Sequence, residues 1–273
     1  MNRIDKKLMH LKASGKKMLS PYLTAGDPYP EITVNMMHEL VRAGADIIEL
    51  GIPFSDPMAE GPVIQRAMER ALARDVHCHT VLKMVQEFRL HDEETPVVLM
   101  GYLNPIEYLG YELFAQQAVE AGVDGTILVD LPPEESADVS RIWKKYGLYS
   151  IFLCSPTTSE ERMVLINQFA QGYLYYVSLK GVTGSDALDM SSLKAQYQHR
   201  KAQTTLPLMV GFGIKTPEMA AQIAHFADGV IVGAALITQI LDAYNTNNDM
   251  LQAGADLIYS MRHAMDNDGK NDD

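Results

Sequence analysis

The length, composition and charge of the chain limit the classes of protein to which it can belong. With 273 residues, 47% of them hydrophobic, it can form one large domain with an ample core, and the α/β barrel is the common single-domain solution at this length. The formal net charge of −12, without a long basic block, argues against nucleic acid or an anionic membrane as a partner. Any anionic substrate must therefore be bound by local groups.

The targeting and redox features of the sequence favour a cytoplasmic protein. No apolar run approaches the roughly 20 residues that a membrane span needs, and the basic, amphipathic start lacks the apolar segment and cleavage site of a secretory signal. The two cysteines, Cys78 and Cys154, are too few for a disulfide framework or a metal cluster. Cys154 lies in an apolar, strand-like run, which favours a packed thiol over a nucleophile. We therefore expect no metal site.

The chain repeats a unit of short apolar strand, loop rich in Gly, Pro or Asp, and amphipathic helix. A short helix over Ile4–Leu11 precedes the first strand. The strands are predicted over Met18–Thr24, Asp46–Leu50, Val97–Met100, Gly125–Val129, Tyr149–Leu153, Leu174–Ser178, Leu208–Phe212 and Gly229–Val232. The helices between and after them are predicted over Glu31–Ala43, Pro62–Ala73, Thr80–Arg89, Tyr111–Ala121, Glu134–Tyr146, Glu160–Gln171, Leu193–Arg200, Pro217–His225, Ala234–Leu241 and Met250–Met265.

This succession of units favours a (β/α)8 TIM barrel over a doubly wound sheet, since no Gly-x-Gly-x-x-Gly turn follows the first strand. We expect residues 1–265 to form this single α/β domain, with an extra N-terminal helix, and the polar residues 266–273 to form a frayed tail. The short helix that begins after Gly233 stands where many barrels bind phosphate. The chemistry of such barrels lies at the carboxyl ends of the strands.

Glycines at the ends of three neighbouring strands predict a phosphate site. The motifs are Gly211-Phe212-Gly213 after strand seven, Gly233-Ala234 after strand eight and Gly181-Val182-Thr183-Gly184 after strand six. Glycine lets backbone N–H groups approach an anion, and the short helix adds its positive N-terminal end. Any one of these motifs could simply form a tight turn, so the hypothesis depends on all three.

The stretch Ala45–Gln65 contains the candidate acid–base groups. Glu49 is the charged residue inside an apolar strand, and at the strand end it could point into the barrel mouth, where apolar neighbours raise the pKa of a carboxyl group. The alternative is a glutamate paired with a buried Lys or Arg, although few basic residues lie at strand ends. The loop Phe54–Gly61 adds Asp56 and Glu60. Glu60 could close over a ligand as a second acid, although solvation is the commoner fate of an isolated loop glutamate.

Aromatic and apolar residues near the strand ends predict a pocket for a flat or apolar part of a ligand. Tyr175 and Tyr176 are neighbours on strand six and face opposite sides of the sheet, so only one can point into the barrel, as a site residue or as a packing residue. The other lining candidates are Tyr22, Met100, Tyr102, Ile127, Val129, Leu153 and Phe212. Asn104-Pro105 and Asp130–Pro133 are predicted to be rigid loop starts on the same rim, where they shape the pocket or a partner surface.

Several motifs together resemble the family of tryptophan synthase alpha chains. They are Tyr22-Leu-Thr-Ala-Gly-Asp-Pro28, Glu49-Leu-Gly-Ile-Pro-Phe-Ser-Asp-Pro57, Gly61-Pro62 with Ile64-Gln65, Gly181-Val-Thr-Gly184 and Gly211-Phe-Gly-Ile214, in order along nearly the whole chain. The resemblance implies retro-aldol cleavage of indole-3-glycerol phosphate to indole and glyceraldehyde 3-phosphate, without a metal or an organic cofactor in this chain. It also implies a beta-chain partner, in an alpha2beta2 assembly, that carries pyridoxal phosphate and receives the indole.

The resemblance also implies roles for individual residues. Glu49 matches the acid–base carboxylate that protonates the indole C3 and removes the glycerol hydroxyl proton, and Glu60 matches the acceptor for the indole N–H. Tyr175 matches a pocket tyrosine, and Thr183 a hydroxyl on the closing loop that steadies the loop acid. The phosphate cradle corresponds to Gly184, Gly213, Gly233 and Ala234. The beta chain is expected to dock on Pro53, Asp56, Pro57, Asn104, Asp130 and Pro132.

The chain departs from the family pattern at three places. Glu60 stands where aspartate is common, so its carboxylate reaches one methylene further. Ala234 stands where many relatives have serine, which removes one hydroxyl contact to phosphate. Ser178-Leu179-Lys180 replaces a Ser-Arg-Ser type start of the closing loop.

Two other functions fit parts of the pattern. The chain could be a non-catalytic barrel subunit, with Glu60 misplaced, that activates a beta partner, or another phosphate-binding barrel enzyme such as an isomerase or a Schiff-base aldolase. The predicted strands contain no lysine, which disfavours the aldolase, and the Pro-Phe-Ser-Asp-Pro element disfavours the isomerase. Nothing in the sequence indicates what holds the loops Phe54–Gly61 and Leu179–Asp189 shut, so closure by a partner or ligand is the expected regulatory step.

Overall fold

A closed barrel of eight parallel strands forms the centre of the molecule. The computed structural model describes residues 1–178, 190–211 and 213–267. The strands are β1 (Met18–Thr24), β2 (Ile48–Gly51), β3 (Val97–Gly101), β4 (Gly125–Leu128), β5 (Tyr149–Cys154), β6 (Leu174–Val177), β7 (Leu208–Gly211) and β8 (Gly229–Val232). Each strand pairs with its neighbours in sequence, and β8 pairs with β1. The predicted (β/α)8 TIM barrel is confirmed.

Helices cover the outside of the barrel. They are α1 (Arg3–Ser14), α2 (Ile32–Arg42), α3 (Pro62–Leu72), α4 (Cys78–Arg89), α5 (Leu103–Leu109), α6 (Tyr111–Ala121), α7 (Ala137–Tyr146), α8 (Glu160–Phe169), α9 (Met190–Lys201), α10 (Pro217–Ala224), α11 (Ala234–Asn245) and α12 (Met250–Asn267). Among the described residues, no helix combines the length and the apolar character needed to cross a membrane.

Several predicted elements differ from those observed. Asn104 and Pro105 do not start a loop but lie in the first turn of α5, where proline is tolerated because the first N–H groups of a helix have no partner inside it. The helix after β8 continues to Asn245 and is therefore not short. Asp266, predicted to lie in a frayed tail, belongs to α12 and pairs with Lys16, while residues 268–273 lie outside the described ranges.

Alternation along the strands divides the side chains into an inner and an outer layer. On β1, Met18 and Tyr22 point into the barrel, while Leu19 and Leu23 pack against the surrounding helices. The inner layer is mostly apolar and includes Ile47, Val98, Met100, Ile127, Ile151, Met209 and Ile231. This apolar interior sets the dielectric environment of every polar group inside the barrel.

Three aspartates connect neighbouring strands at the N-terminal end of the barrel. Each stands just before an even-numbered strand and accepts a hydrogen bond from a backbone N–H at the start of the preceding strand: Asp46 from Leu19 at 3.0 Å, Asp124 from Val97 at 2.9 Å, and Asp228 from Leu208 at 2.8 Å. Their cationic partners are Arg262 for Asp46, Arg3 and Arg89 for Asp124, and Lys201 for Asp228. Helix α1 lies at this end and buries Ile4 and Leu11 against the inner layer.

Candidate functional site

Glu49 lies on β2 and points into the barrel interior. Its neighbours in strand register are Tyr22 on β1 and Val98 on β3. The side chain is fully buried, and the hydroxyl of Tyr173 donates a hydrogen bond to Oε1 at 2.7 Å. The other oxygen, Oε2, has no hydrogen-bond partner within the described ranges, and no ion pair described there includes Glu49. The predicted alternative, a glutamate paired with a buried cation, therefore does not describe this residue.

Burial raises the pKa of Glu49 to about 7. The hydroxyls of Tyr173 and Ser20 oppose this shift because they stabilise the charged carboxylate, but the loss of solvation outweighs them. The carboxyl group is therefore divided between its protonated and charged forms near neutral pH. A group that gives and takes protons in a reaction needs this property.

Tyr173 is the site residue that the sequence interpretation missed. It lies just before β6, is fully buried in the inner layer and holds the carboxyl group of Glu49. The signal that could have found it is the period of the strand, since Tyr173 and Tyr175 are two residues apart and must share a face. Once Tyr175 is assigned to the interior, Tyr173 follows.

Of the two neighbouring tyrosines on β6, Tyr175 points into the barrel and Tyr176 points out. Tyr175 packs against the inner layer, whereas Tyr176 belongs to the outer layer, with its ring 5.9 Å from that of Tyr197. The hydroxyl of Tyr175 lies over Gly211 of β7, where a Cβ atom would come within 2.3 Å of it. Gly211 is therefore required to make room for Tyr175.

The same arrangement recurs between β1 and β2. A Cβ atom on Gly51 would lie 2.1 Å from the hydroxyl oxygen of Tyr22, so Gly51 leaves the space that this tyrosine fills. The Tyr22 and Thr24 hydroxyls are 3.3 Å apart and share a hydrogen bond. Glycines on two strands thus place two tyrosine hydroxyls inside the barrel, where the charge of Glu49 acts on both.

Glu60 is held near the mouth by contacts of its own loop. The hydroxyl of Tyr102 accepts a hydrogen bond from the Ala59 N–H at 3.1 Å, and the Tyr102 ring stacks on Phe54 with centroids 5.0 Å apart. The side-chain amide of Gln65 donates to the Glu60 carbonyl at 2.9 Å. These contacts, which the sequence did not indicate, hold the loop against the barrel within this chain alone.

Glu60 faces the same tyrosines as Glu49. Burial raises the pKa of Glu60 to about 7. Burial also holds the pKa of Tyr22 and of Tyr175 above their usual range, and the negative charges of both glutamates add to that shift. Two carboxyl groups that titrate near neutrality therefore border one aromatic space.

The remaining predicted lining residues gather around this space. Met100 and Ile127 are buried in the inner layer, and Val129 and Leu153 are half-buried against it. Val129 and Leu153 also border a groove of about 470 Å³ on the rim, together with Asp130, Pro132 and Arg162. Thr183, Gly184 and Phe212 lie outside the described residues.

The described part of the predicted phosphate cradle is formed by backbone at the ends of β7 and β8. Gly213 has a φ of +83°, a left-handed conformation that favours glycine. Gly233 precedes the first residue of α11, Ala234, and none of the described side chains caps this helix start. The N–H groups of Ala234 and the residues after it therefore face the rim at the positive end of the helix.

The rim segments predicted to meet a partner are joined to one another. Oδ1 of Asp130 accepts a hydrogen bond from the Leu103 N–H at 2.7 Å, which connects the segment after β4 to the start of α5 next to Asn104. Asp56 is exposed, Pro57 and Pro132 are half-buried, and Pro53 is buried in the loop. The described His, Cys, Asp and Glu residues form no cluster that could hold a metal ion.

Comparison with known proteins gives concordant results. The family model of the tryptophan synthase alpha chain matches residues 8–266. A tryptophan synthase alpha chain of Legionella pneumophila (strain Lens) is 75% identical over 269 residues, which cover 98% of this chain and 99% of the relative. The crystal structure of tryptophan synthase subunit alpha from Legionella pneumophila str. Paris has a TM-score of 0.94 at 72% identity, over 98% and 99% of the two chains. A tryptophan synthase structure from M. tuberculosis has a TM-score of 0.85 at 31% identity, over 97% of this chain and 99% of the other.

Proposed function

The chain belongs to the family of tryptophan synthase alpha chains, and from this membership we propose that Glu49 and Glu60 perform the cleavage of indole-3-glycerol phosphate in the mouth of this barrel. The family reaction is a lyase step of tryptophan biosynthesis. Its alpha chain carries no cofactor, and pyridoxal phosphate is bound by the beta chain. The observation that carries the proposal is the fully buried Glu49, whose pKa is about 7 and which has no cationic partner in the described chain.

Glu49 acts as the acid and as the base. Its protonated form delivers a proton to C3 of the indole ring, which makes the ring an electron acceptor. The carboxylate then takes the proton of the neighbouring glycerol hydroxyl, the bond from C3 to the glycerol carbon breaks, and its electron pair restores the aromatic indole. Glyceraldehyde 3-phosphate leaves as the aldehyde, and Glu49 is protonated again. A pKa of about 7 makes both transfers accessible at neutral pH.

Glu60 stabilises the charge that develops on the ring nitrogen. Once C3 is protonated, the nitrogen carries positive charge and its N–H becomes a strong donor, for which a carboxylate is a suitable acceptor. The contacts of Tyr102 and Gln65 with the Glu60 loop keep this carboxylate at the mouth without a partner chain. This position supports a catalytic role over the non-catalytic subunit considered from the sequence.

The substrate is placed by the aromatic space and the helix start. We expect the indole ring to lie among Tyr22, Met100, Ile127 and Tyr175, and the phosphate to bind at Gly213, Gly233 and Ala234. Ala234 offers its backbone N–H there, so the lack of a serine hydroxyl weakens phosphate binding without abolishing it. The eight described strands contain no lysine, which argues against a Schiff-base aldolase.

The beta chain is the partner of this family, and we place its docking surface on the rim. The joined segments around Asp56, Asn104 and Asp130 form a continuous surface there. Two large apolar side chains beside them are exposed, Met58 at 79% and Tyr108 at 94%, as expected for residues that a partner covers. We also propose that residues 1–265 act as one domain, in an alpha2beta2 complex in the cytoplasm.

Indole release from indole-3-glycerol phosphate tests the proposal. The purified chain is incubated with the substrate, with and without a beta chain, and wild type is compared with Glu60→Asp. Cleavage that the beta chain accelerates is the expected result, and the Glu60→Asp ratio measures the effect of the extra methylene. If no indole appears under either condition while turnover of the beta chain rises, the chain is an activator and the proposed chemistry is wrong.

A further inference from the structure

Ser20 and one oxygen of Glu49 are buried polar groups without partners at the centre of the barrel. Ser20 Oγ and Glu49 Oε2 belong to fully buried residues, and neither makes a hydrogen bond to any part of the chain that the structure describes. A buried hydroxyl and a buried carboxyl oxygen that lack partners both reduce stability. Two such groups on neighbouring strands need a physical explanation.

Strand register brings the two groups to the same side of the sheet. Tyr22 of β1 pairs with Glu49 of β2, and Ser20 lies two residues before Tyr22, so all three side chains point into the barrel. Ser20 is thus the diagonal neighbour of Glu49, at a separation that a long side chain can span. Its hydroxyl is near enough to lower the pKa of the carboxyl group, in the same direction as the hydroxyl of Tyr173.

Packing does not explain a serine at this position. Ser20 pairs in register with Ile231 of β8, and Met18 of the same strand and Ile47 of the segment before β2 belong to the same inner layer. An apolar side chain would continue this layer and would leave no hydroxyl unpaired. A hydroxyl among these residues is useful only to a polar neighbour, and the polar neighbour is Glu49.

We propose that Ser20 is a positioning residue for Glu49, whose hydroxyl binds Oε2 when the carboxylate is charged, so that Tyr173 and Ser20 each hold one oxygen. This inference depends on the acid–base role proposed above for Glu49. The charged carboxylate then keeps one orientation between its two proton transfers. When Glu49 is protonated, Oε2 carries the proton and the hydrogen bond from Ser20 opens.

The titratable groups that face Glu49 come from β1 and from the start of β6. They are Tyr22, Tyr173 and Tyr175, and burial raises the pKa of each above the usual range of tyrosine, so none of them ionises near neutral pH. Glu60, on the loop after β2, is the other group here that titrates near neutrality. The test must therefore separate the titration of Glu49 from that of Glu60.

The pKa of the Glu49 carboxyl group can be measured by carbon NMR of protein with ¹³C-labelled glutamate. Glu49→Gln and Glu60→Gln assign the two signals. Ser20→Ala should raise the Glu49 pKa by about one unit, because a hydrogen bond to a charged group is lost, and Ser20→Thr should restore it. Ser150→Ala is the matched control, since it removes a buried strand hydroxyl that lies beside Ser140 of α7, outside the barrel.

Kinetics of the same variants distinguish positioning from packing. Ser20→Ala should lower kcat about tenfold, change KM for indole-3-glycerol phosphate much less, and shift the pH profile of kcat in the direction of the NMR pKa. Ser20→Thr should recover most of kcat. An equal loss in Ser150→Ala would indicate a general packing effect and overturn the inference.

The outcomes separate this inference from the proposed function. If the Glu49 pKa is unchanged in Ser20→Ala while wild type cleaves the substrate, the role of Ser20 is wrong and the lyase function stands. If wild type with a beta chain releases no indole, the lyase function is wrong whatever the NMR shows. If Ser20→Ala unfolds too readily to titrate, Ser20→Cys keeps a weaker donor and should give a smaller rise, whereas no rise overturns the inference.

Discussion

The buried aspartates Asp46 and Asp124 at the N-terminal end of the barrel are paired with cations, whereas Glu49 and Glu60 at the C-terminal end have no cationic partner within the described chain. Burial raises the pKa of Asp46 and of Asp124, but backbone N–H groups and the arginines Arg262, Arg3 and Arg89 oppose the shift. At Glu49 the opposing groups in the described part of the chain are the hydroxyls of Tyr173 and Ser20, and the pKa reaches about 7.

Because of this difference, the carboxyl groups at the N-terminal end contribute to stability and those at the C-terminal end are suited to proton transfer. At the N-terminal end the charges compensate one another and fix the starts of the strands, which favours the folded state. At the C-terminal end the carboxyl groups of Glu49 and Glu60 are desolvated without a cationic partner in the described chain, which costs stability and leaves both groups able to exchange protons near neutral pH. Substitutions of the paired groups at the N-terminal end should therefore lower the free energy of unfolding, whereas substitutions of Glu49 or Glu60 should lower the rate of indole release.

Of the substitutions that test this difference between the two ends, Glu49→Gln should have the largest effect. The amide keeps the volume and the hydrogen bond from Tyr173 but can neither deliver nor accept the proton, so the rate of indole release should fall about 10²- to 10⁴-fold. Indole release under saturating substrate is the measurement. Asp138→Asn, an exposed change on α7, is the control and should leave the rate unchanged. Wild-type turnover in Glu49→Gln would remove Glu49 from the mechanism.

Arg89→Met should affect stability and not turnover. Arg89 pairs with Asp124 at 3.0 Å and also donates to the carbonyls of Thr95 and Gly122, so its loss leaves buried acceptors and weakens the compensation of a buried carboxylate. We expect the free energy of unfolding to fall by roughly 3–5 kcal/mol in urea titrations. The rate of indole release, measured well below the melting temperature, should stay within about twofold of wild type.

Arg141→Met is the control for this change, because Arg141 forms an exposed ion pair with Asp138 within α7. Exposed pairs contribute little to stability. If Arg141→Met and Arg89→Met destabilise the chain equally, the buried pair at the N-terminal end has no special role in stability.

The unpaired burial of Glu49 should be visible as a pH-dependent loss of stability. Its pKa is about 7 in the folded chain and near 4.5 in the unfolded chain, so between these values the folded state keeps a proton that the unfolded state has released. Stability from this group is therefore complete below pH 4.5 and is lost as the pH rises to 7. The difference in unfolding free energy between Glu49→Gln and wild type should change by roughly 3 kcal/mol over that range, in favour of the variant.

Urea unfolding between pH 4 and pH 8 measures this difference. Glu120→Gln, an exposed glutamate on α6, is the control and should show no such trend. A difference between Glu49→Gln and wild type that stays constant with pH would mean that the pKa of Glu49 is near its ordinary value.

The barrel could be predicted from the sequence because each strand is an apolar run that ends in a turn signal. The predicted strand and helix boundaries differ from the observed ones where a side chain makes a contact or takes a position that the sequence does not indicate. Asp46 was included in the second strand, but β2 begins at Ile48 because Asp46 binds the Leu19 N–H and Arg262. Helix α5 was missed because Pro105 was interpreted as a loop signal, although a proline in the first turn interrupts no helical hydrogen bond.

The candidate site could be predicted only in part, because contacts between strands are not visible in one sequence. Glu49 stood out as a charge in an apolar strand, and the burial and the missing cation follow that expectation. The need for Gly51 and Gly211 could not be foreseen, since it arises from tyrosines on neighbouring strands. Tyr173 lies just before the predicted strand Leu174–Ser178, and its contact with Glu49 joins two distant strands. The contact of Tyr102 with the loop joins residues 43 positions apart.

Tyr102→Phe should have the smallest effect, and it tests how the two carboxyl groups of the mouth differ in the way they are held. Glu49 is fixed by a strand, whereas Glu60 depends on loop contacts. The variant keeps the ring that stacks on Phe54 and removes the oxygen that accepts from the Ala59 N–H. Because water can replace that acceptor at the exposed Ala59, the loss should be about 1 kcal/mol, or about fivefold in kcat/KM for indole release.

Tyr259→Phe is the matched control, since Tyr259 is 61% exposed on α12, away from the proposed docking surface, and makes no described contact with the Glu60 loop. The comparison is made on the chain without a beta chain, and the fivefold loss should shrink when a beta chain is added, because a partner that covers the loop replaces the missing contact. An equal loss with and without the beta chain would show that the loop contact is independent of the partner. An unchanged kcat/KM in Tyr102→Phe would show that Tyr102 does not hold Glu60 in place.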